Sequence, residues 1–125
     1  MWIHTTLGYY SITQSPLQLG KFQIRARTRA HLENLARHLD EQIGPKCYLG
    51  GILETPRADY RWRVVINFAR LQTVMGVLME RVDYSNFKAA AQRALPEDHA
   101  YHETLHRTWS TMAHLQDLEK EVAGG

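Results

Sequence analysis

"KFQIRARTRAHLENLARHLDEQI", residues 21 to 43, is the stretch that decides the fold. Over its first seven residues Phe22, Ile24 and Ala26 alternate with Gln23, Arg25 and Arg27, the period of two expected of a strand with one buried face. From Thr28 the period changes. Leu32, Leu35, Leu39 and Ile43 follow helical spacing, Thr28 stands where an N-cap belongs, and Gly44-Pro45 supplies the stop. A strand that passes directly into a helix, each with one apolar side, calls for a sheet covered by helices.

Outward from this unit the same grammar repeats. Downstream, "GGILE", a loop "TPRAD" and the strand "YRWRVVI" lead to Asn67 as a cap and to the stripe Phe68, Leu71, Met75, Leu78, Val82. The two helical strings "TRAHLENLARHL" and "NFARLQTVMGVL" read as two uses of one strand-helix solution. Upstream, "WIHTT" and "YYSIT" are rich in β-branched and aromatic residues and meet at Leu7-Gly8 as in a hairpin. Beyond Asp83 the chain is expected to be helical: "DYSNFKAAAQRAL", a break at Leu95-Pro96, then a long helix to Val122. The expected buried stripe of that last helix is Tyr101, Leu105, Trp109, Met112, Leu115 and Val122. The sum is an α+β fold in a single domain, residues 1–125. An antiparallel sheet of about five short strands carries helices on one face, in the order βββα, ββα, αα.

Composition narrows the function classes. With 44% hydrophobic and 22% charged residues the chain has the balance of a globular domain, which speaks against disorder. The longest apolar run, "WRVVINFA", is broken by Arg63 and Asn67, well short of the ~20 residues of a bilayer span. "MWIHTTLGYYSI" has neither a basic n-region nor a continuous apolar h-region, and Cys47 is the single cysteine. Those features point to a cytoplasmic protein without a membrane partner. The formal charge is only +2, yet eleven of the fifteen basic residues are arginine, so their placement matters more than their sum.

The strings "MWIHTTLGYYSI", "IRARTRAHLENL", "ILETPRADYRWRVVI", "DYSNFK" and "TWSTM" resemble, in this order and over nearly the whole chain, a family of small, functionally uncharacterised bacterial and phage proteins. The resemblance implies a complete intracellular single-domain protein. It implies no activity, substrate or catalytic residue. Trp109 belongs to the family pattern, whereas the nearby "HETLH" does not.

"HETLH", His102 to His106, spells the His-Glu-x-x-His of zinc peptidases, in which two imidazoles one helical turn apart hold the metal and the glutamate is the general base. A third ligand is required. On an unbroken helix His114 lies about 12 Å beyond His106, and His99 about 10 Å before it, so neither reaches a shared ion. Only a remote donor such as His4, His31 or His38 would complete a site, and the expectation is of ordinary surface histidines with no metal or other cofactor. Cys47 in "GPKCYLGG" has Lys46 beside it, but without a histidine partner it reads as a small buried apolar residue. No catalytic residue is assigned.

The stronger signal is the arginine face. If Phe22, Ile24 and Ala26 face the core, Arg25 and Arg27 face away from it. If Tyr60, Trp62, Val64 and Ile66 face the core, Arg61 and Arg63 join them. Burying Ile3, Tyr10 and Ile12 turns Trp2, His4, Tyr9 and Ser11 to that same side. Arginines among aromatics suit phosphates and stacked bases, so the leading expectation is a non-enzymatic module that binds nucleic acid or another phosphate-rich ligand. The alternative is a protein-protein effector or inhibitor, encoded by a phage or mobile element, using the face on an acidic or nucleoprotein partner. A zinc hydrolase stands third. The same arginines would otherwise pair with Asp117, Glu119 and Glu121 of the last helix, or form a homodimer contact.

Overall fold

A computed structural model describes residues 1–44 and 47–124; Pro45, expected in the stop of the first helix, Lys46, expected beside Cys47, and Gly125 lie outside the described residues. The elements follow in the order β1 (Trp2–His4), β2 (Tyr9–Gln14), β3 (Lys21–Ala26), α1 (Arg29–Ile43), β4 (Leu53–Glu54), β5 (Trp62–Asn67), α2 (Phe68–Glu80), α3 (Phe87–Ala94) and α4 (His99–Gly124). This is the expected α+β order. By its contacts the chain divides into two compact units, Met1–Ser85 and Asn86–Gly125.

In the first unit five strands form one antiparallel sheet in the order β1-β2-β3-β5-β4. The strand β3 lies at its centre, and Ile24 is paired with Ile12 on one side and Val64 on the other. Because side chains alternate across a strand, that pairing collects Tyr10, Ile12, Ile24, Ala26, Val64 and Ile66 on one face, all buried. Helices α1 and α2 cover this face with Leu32, Leu35, Leu39, Leu71, Val74 and Leu78. The stripe of α2 is shifted from the expected one: Val74 is fully buried, while Phe68 and Val82 at its two ends are exposed. Asn67 caps α2 as expected, accepting a hydrogen bond from the Arg70 amide at 2.8 Å. Thr28 occupies the N-cap position of α1 with extended backbone, but its side chain makes no capping bond.

The β1-β2 turn is built on Thr5, whose hydroxyl accepts from the amides of Leu7 and Gly8 at 3.0 and 3.1 Å. Gly8 has φ of 150°, and a Cβ there would lie 2.3 Å from Cγ of the buried His31. The ring is held in place, since His31 Nδ1 accepts from the Tyr9 amide at 3.2 Å and the Tyr10 hydroxyl donates to the His31 carbonyl at 2.6 Å.

In the second unit the short α3 packs on the start of α4. Asn86 caps α3 through the Ala89 amide at 3.0 Å, and Ala90, Ala91, Tyr101 and Leu105 are buried. The expected stripe of α4 fails beyond Leu105: Trp109 is 62% exposed, and Met112, Leu115 and Val122 are exposed too. The reason is length. Eight residues of α3 span about 12 Å, against about 39 Å for the 26 of α4, so α3 can cover only the beginning of its neighbour. Among the described residues no helix is long and apolar enough to cross a membrane.

Gly8→Ala is expected to destabilise the protein by about 2 to 5 kcal/mol, combining a disfavoured backbone conformation with a forced shift of His31. An unchanged urea midpoint would show that the turn does not require glycine.

Candidate nucleic-acid interface

The face of the sheet opposite α1 and α2 is polar, and its organisation follows from strand pairing. Trp2 is opposite Ser11, Ser11 opposite Arg25, Arg25 opposite Arg63, and Arg63 opposite Leu53. One row of side chains therefore crosses all five strands, with His4 and Tyr9 adjacent to it as the next pair of β1 and β2. Trp2, His4, Tyr9, Ser11, Arg25 and Arg63 stand where alternation placed them.

Tyr60 does not. It was expected to face the core beside Trp62, but regular pairing of β5 begins only at Trp62, and residues 56–60 form a turn and bends. The alternation therefore does not extend back to it. Tyr60 is 2% exposed and lies within the arginine cluster: the guanidinium carbons of Arg25 and Arg27 sit 4.4 and 3.9 Å from its ring centre. Its hydroxyl is 3.0 Å from that of Tyr9, whose ring stacks on His4 with centroids 4.7 Å apart. An aromatic series His4, Tyr9, Tyr60 thus runs into the arginines.

The four arginines are not equivalent. Arg63 is committed to structure. It donates to Thr55 Oγ1 at 3.1 Å, to Gln23 Oε1 at 2.9 Å and to the Tyr60 carbonyl at 3.1 Å. Gln23 in turn donates to Thr13 Oγ1 at 2.8 Å, so a polar chain links Thr13, Gln23, Arg63 and Thr55 across the sheet. Arg25 donates to Ser11 Oγ at 2.7 Å, and its buried Nε meets no acceptor among the described residues. Arg27 is exposed and donates to the Asp59 carbonyl at 2.5 Å. Arg61, at the edge, has a carboxylate partner, Glu54 at 2.8 Å. That partner comes from β4 and not from the last helix, where Asp117 lies 3.9 Å from His114.

The electrostatics leave the charge of this face to the arginines. Burial, and then the hydrogen bond and charge of Tyr60, push the Tyr9 phenol well above its ordinary range against the opposing pull of Arg27 and Arg25, so it stays neutral. Burial lowers the pKa of His4 from 6.5.

The zinc motif lacks the geometry its chemistry needs. His102 Nε2 is 2.6 Å from the Leu95 carbonyl and so donates to it, and Glu103, the would-be base, is exposed and paired with Arg107 at 2.7 Å. Of the remote donors, His31 Nδ1 accepts from the Tyr9 amide, His38 Nδ1 lies 3.4 Å from Arg81 Nη1, and His4 stacks on Tyr9. Among the described residues no three His, Cys, Asp or Glu side chains converge as a metal site. Cys47, expected to be buried, is exposed with φ of 47°.

Residues that sequence reasoning missed are Tyr60, Gln23, Thr55 and Glu54. Glu54 and Thr55 were legible in principle, because counting back through the "TPRAD" turn brings them opposite Trp62 and Arg61. Tyr60 carried no such signal. No family model, curated protein or solved structure matches the chain.

Arg63→Gln is expected to cost about 2 to 4 kcal/mol, because three hydrogen bonds to a charged group are lost. Arg27→Gln should change stability by less than about 1 kcal/mol, as exposed substitutions do. Equal effects in thermal melts would refute the distinction. His4 adds a pH dependence. Its folded pKa lies below 6.5, so its contribution to stability is complete above 6.5 and is lost as the pH falls through the lowered value. An NMR titration of the His4 ring should give a midpoint under 6.5; one at or above it would mean that the ring is not desolvated.

Proposed function

We propose that this protein is a non-enzymatic module that binds single-stranded nucleic acid, or a ligand with the same phosphate chemistry, on its arginine face. The observation that carries the reading is the gathering of Arg25, Arg27 and Arg63 around Tyr60 with oxygen and ring partners but, among the described residues, no carboxylate. Guanidinium groups held in place yet not neutralised form a standing anion site. Arg27 supplies the outward charge that reaches phosphates, and Arg61 joins it by exchanging its Glu54 partner for a phosphate. Arg25 and Arg63 shape the field from beneath.

Aromatic placement supports nucleic acid over a bare anion. Trp2 is 72% exposed at one end of the cross-strand row, and the stacked His4 and Tyr9 lie next to it. Bases need such platforms, and stacking is worth about 1 to 3 kcal/mol per base. A second reading, a protein effector acting on an acidic or nucleoprotein partner, is favoured by a separate feature. Leu17 and Leu19 in the β2-β3 loop are 92% and 104% exposed and would serve as anchors in a protein contact.

The test is binding of a labelled single-stranded oligonucleotide as a function of salt. Two phosphate contacts, from Arg27 and Arg61, predict a log-log slope of about −1.4, and Arg27→Gln/Arg61→Gln should bring it close to zero while the fold is kept. Trp2→Ala should weaken binding by about five- to a hundredfold without altering the slope, since it removes stacking and no charge. Absence of salt-sensitive binding at low ionic strength would sink the nucleic-acid reading. Capture of an acidic protein by the wild type, lost in a Leu17→Ser/Leu19→Ser variant, would replace it with the effector.

A further inference from the structure

The second half of α4 presents a surface that the arginine face does not explain. Met112, Leu115 and Val122 share one side of the helix with Trp109 and Leu118 on its two flanks, and all are exposed, Val122 to 83%. The interval from Trp109 to Val122 covers about 20 Å of helix at 1.5 Å per residue. An exposed apolar stripe at helical spacing is a surface that gains free energy when it is covered. We propose that this stripe is the contact between two copies of the chain, packed helix against helix in antiparallel orientation.

What identifies a second copy as the occupant is charge. One carboxylate, Glu119, lies within the stripe, four residues after Leu115 and three before Val122. One cation stands by the other end: Lys88 of α3 has its Nζ 5.3 Å from the centre of the Trp109 ring and 3.4 Å from His106 Nδ1. Both Lys88 and Glu119 are exposed. In a parallel pair Glu119 would face the partner's Glu119 across an apolar seam, which is repulsive. An antiparallel pair with its two-fold axis between Leu115 and Gln116 brings Trp109 onto the partner's Val122 and Met112 beside the partner's Glu119. Lys88 then reaches the partner's Glu119, and by symmetry the same contact forms twice. Opposed helix dipoles add to the preference. A negatively charged lipid surface fits less well, since Glu119 would be pressed against its headgroups. A contact confined to one helix pair is small, so the dimer should be reversible, with a dissociation constant of about 1 to 100 µM.

The experiment is sedimentation equilibrium from about 5 to about 500 µM protein without nucleic acid. The wild type is expected to pass from one chain of 14.5 kDa to two. Met112→Lys/Leu115→Lys should remain monomeric throughout, with unchanged helicity by circular dichroism because both positions are exposed. Lys88→Glu and Glu119→Lys should each weaken the dimer by about three- to tenfold, and an equimolar mixture of the two should restore it, since both cross-contacts are then attractive. A wild type that stays monomeric, a dimer that survives the double lysine variant, or no recovery on mixing would each overturn the proposal. A Glu119→Gln dimer tighter than the wild type would indicate the parallel arrangement, where Glu119 meets Glu119, and overturn it as well.

Discussion

The register of the central strand β3 is the constraint on which the first unit depends. Ile24 lies between Ile12 and Val64, and its neighbour Arg25 lies between Ser11 and Arg63. A slip of one residue would turn Ile24 toward the polar face and carry Arg25 into the core beneath α1 and α2, where an unpaired guanidinium is costly. Burial of the apolar set therefore fixes the arginine row at the same time. The face needs no separate folding signal, since it is the other side of the pairing that builds the core.

That face divides its cations by how their donors are used. Arg63 has three acceptors and couples β3, β5 and the end of β4 through Gln23, Tyr60 and Thr55, so its charge comes with cross-strand hydrogen bonds. Arg25 is half engaged, its Nε meeting no acceptor among the described residues. Arg27 and Arg61 lie exposed at the margin. A surface arranged in this way keeps its field when a single outer residue changes, and loses shape when an inner one does. Desolvation of His4 and Tyr9 works in the same direction, since both stay neutral near pH 7 and leave the charge to the arginines.

The sheet was legible because β3 and β5 state their parity in the sequence: Ile24 against Arg25, Val64 against Arg63. Caps were legible where a side chain has one task, as at Asn67, and less so at Thr28, whose hydroxyl makes no capping bond. The last helix was misjudged for a reason outside its own sequence. Periodicity says that a helix has an apolar side, not that a neighbour is long enough to cover it, and α3 ends after eight residues. Trp109 carries the same pattern as Leu105, and only the length of the adjoining helix separates a buried residue from an exposed one.

Site residues were legible to the degree that regular structure places them. Trp2, His4, Tyr9, Arg25 and Arg63 sit in paired strands and were found by counting in twos, whereas Tyr60 precedes its strand and was assigned to the wrong face by the same count. The histidine motif, expected to be ordinary surface histidines, shows the complementary limit. His102 and His106 share a helix as their spacing requires, but a metal site needs ligands that converge from elsewhere, and His4, His31 and His38 are each placed by other contacts. Spacing within one element is cheap to satisfy by chance. Convergence of several elements is costly to assemble, and here the side chains that converge, from β2, β3, β5 and the turn before it, are arginine, tyrosine, serine and glutamine. Guanidinium groups among aromatic rings are the chemistry on which the proposed function rests.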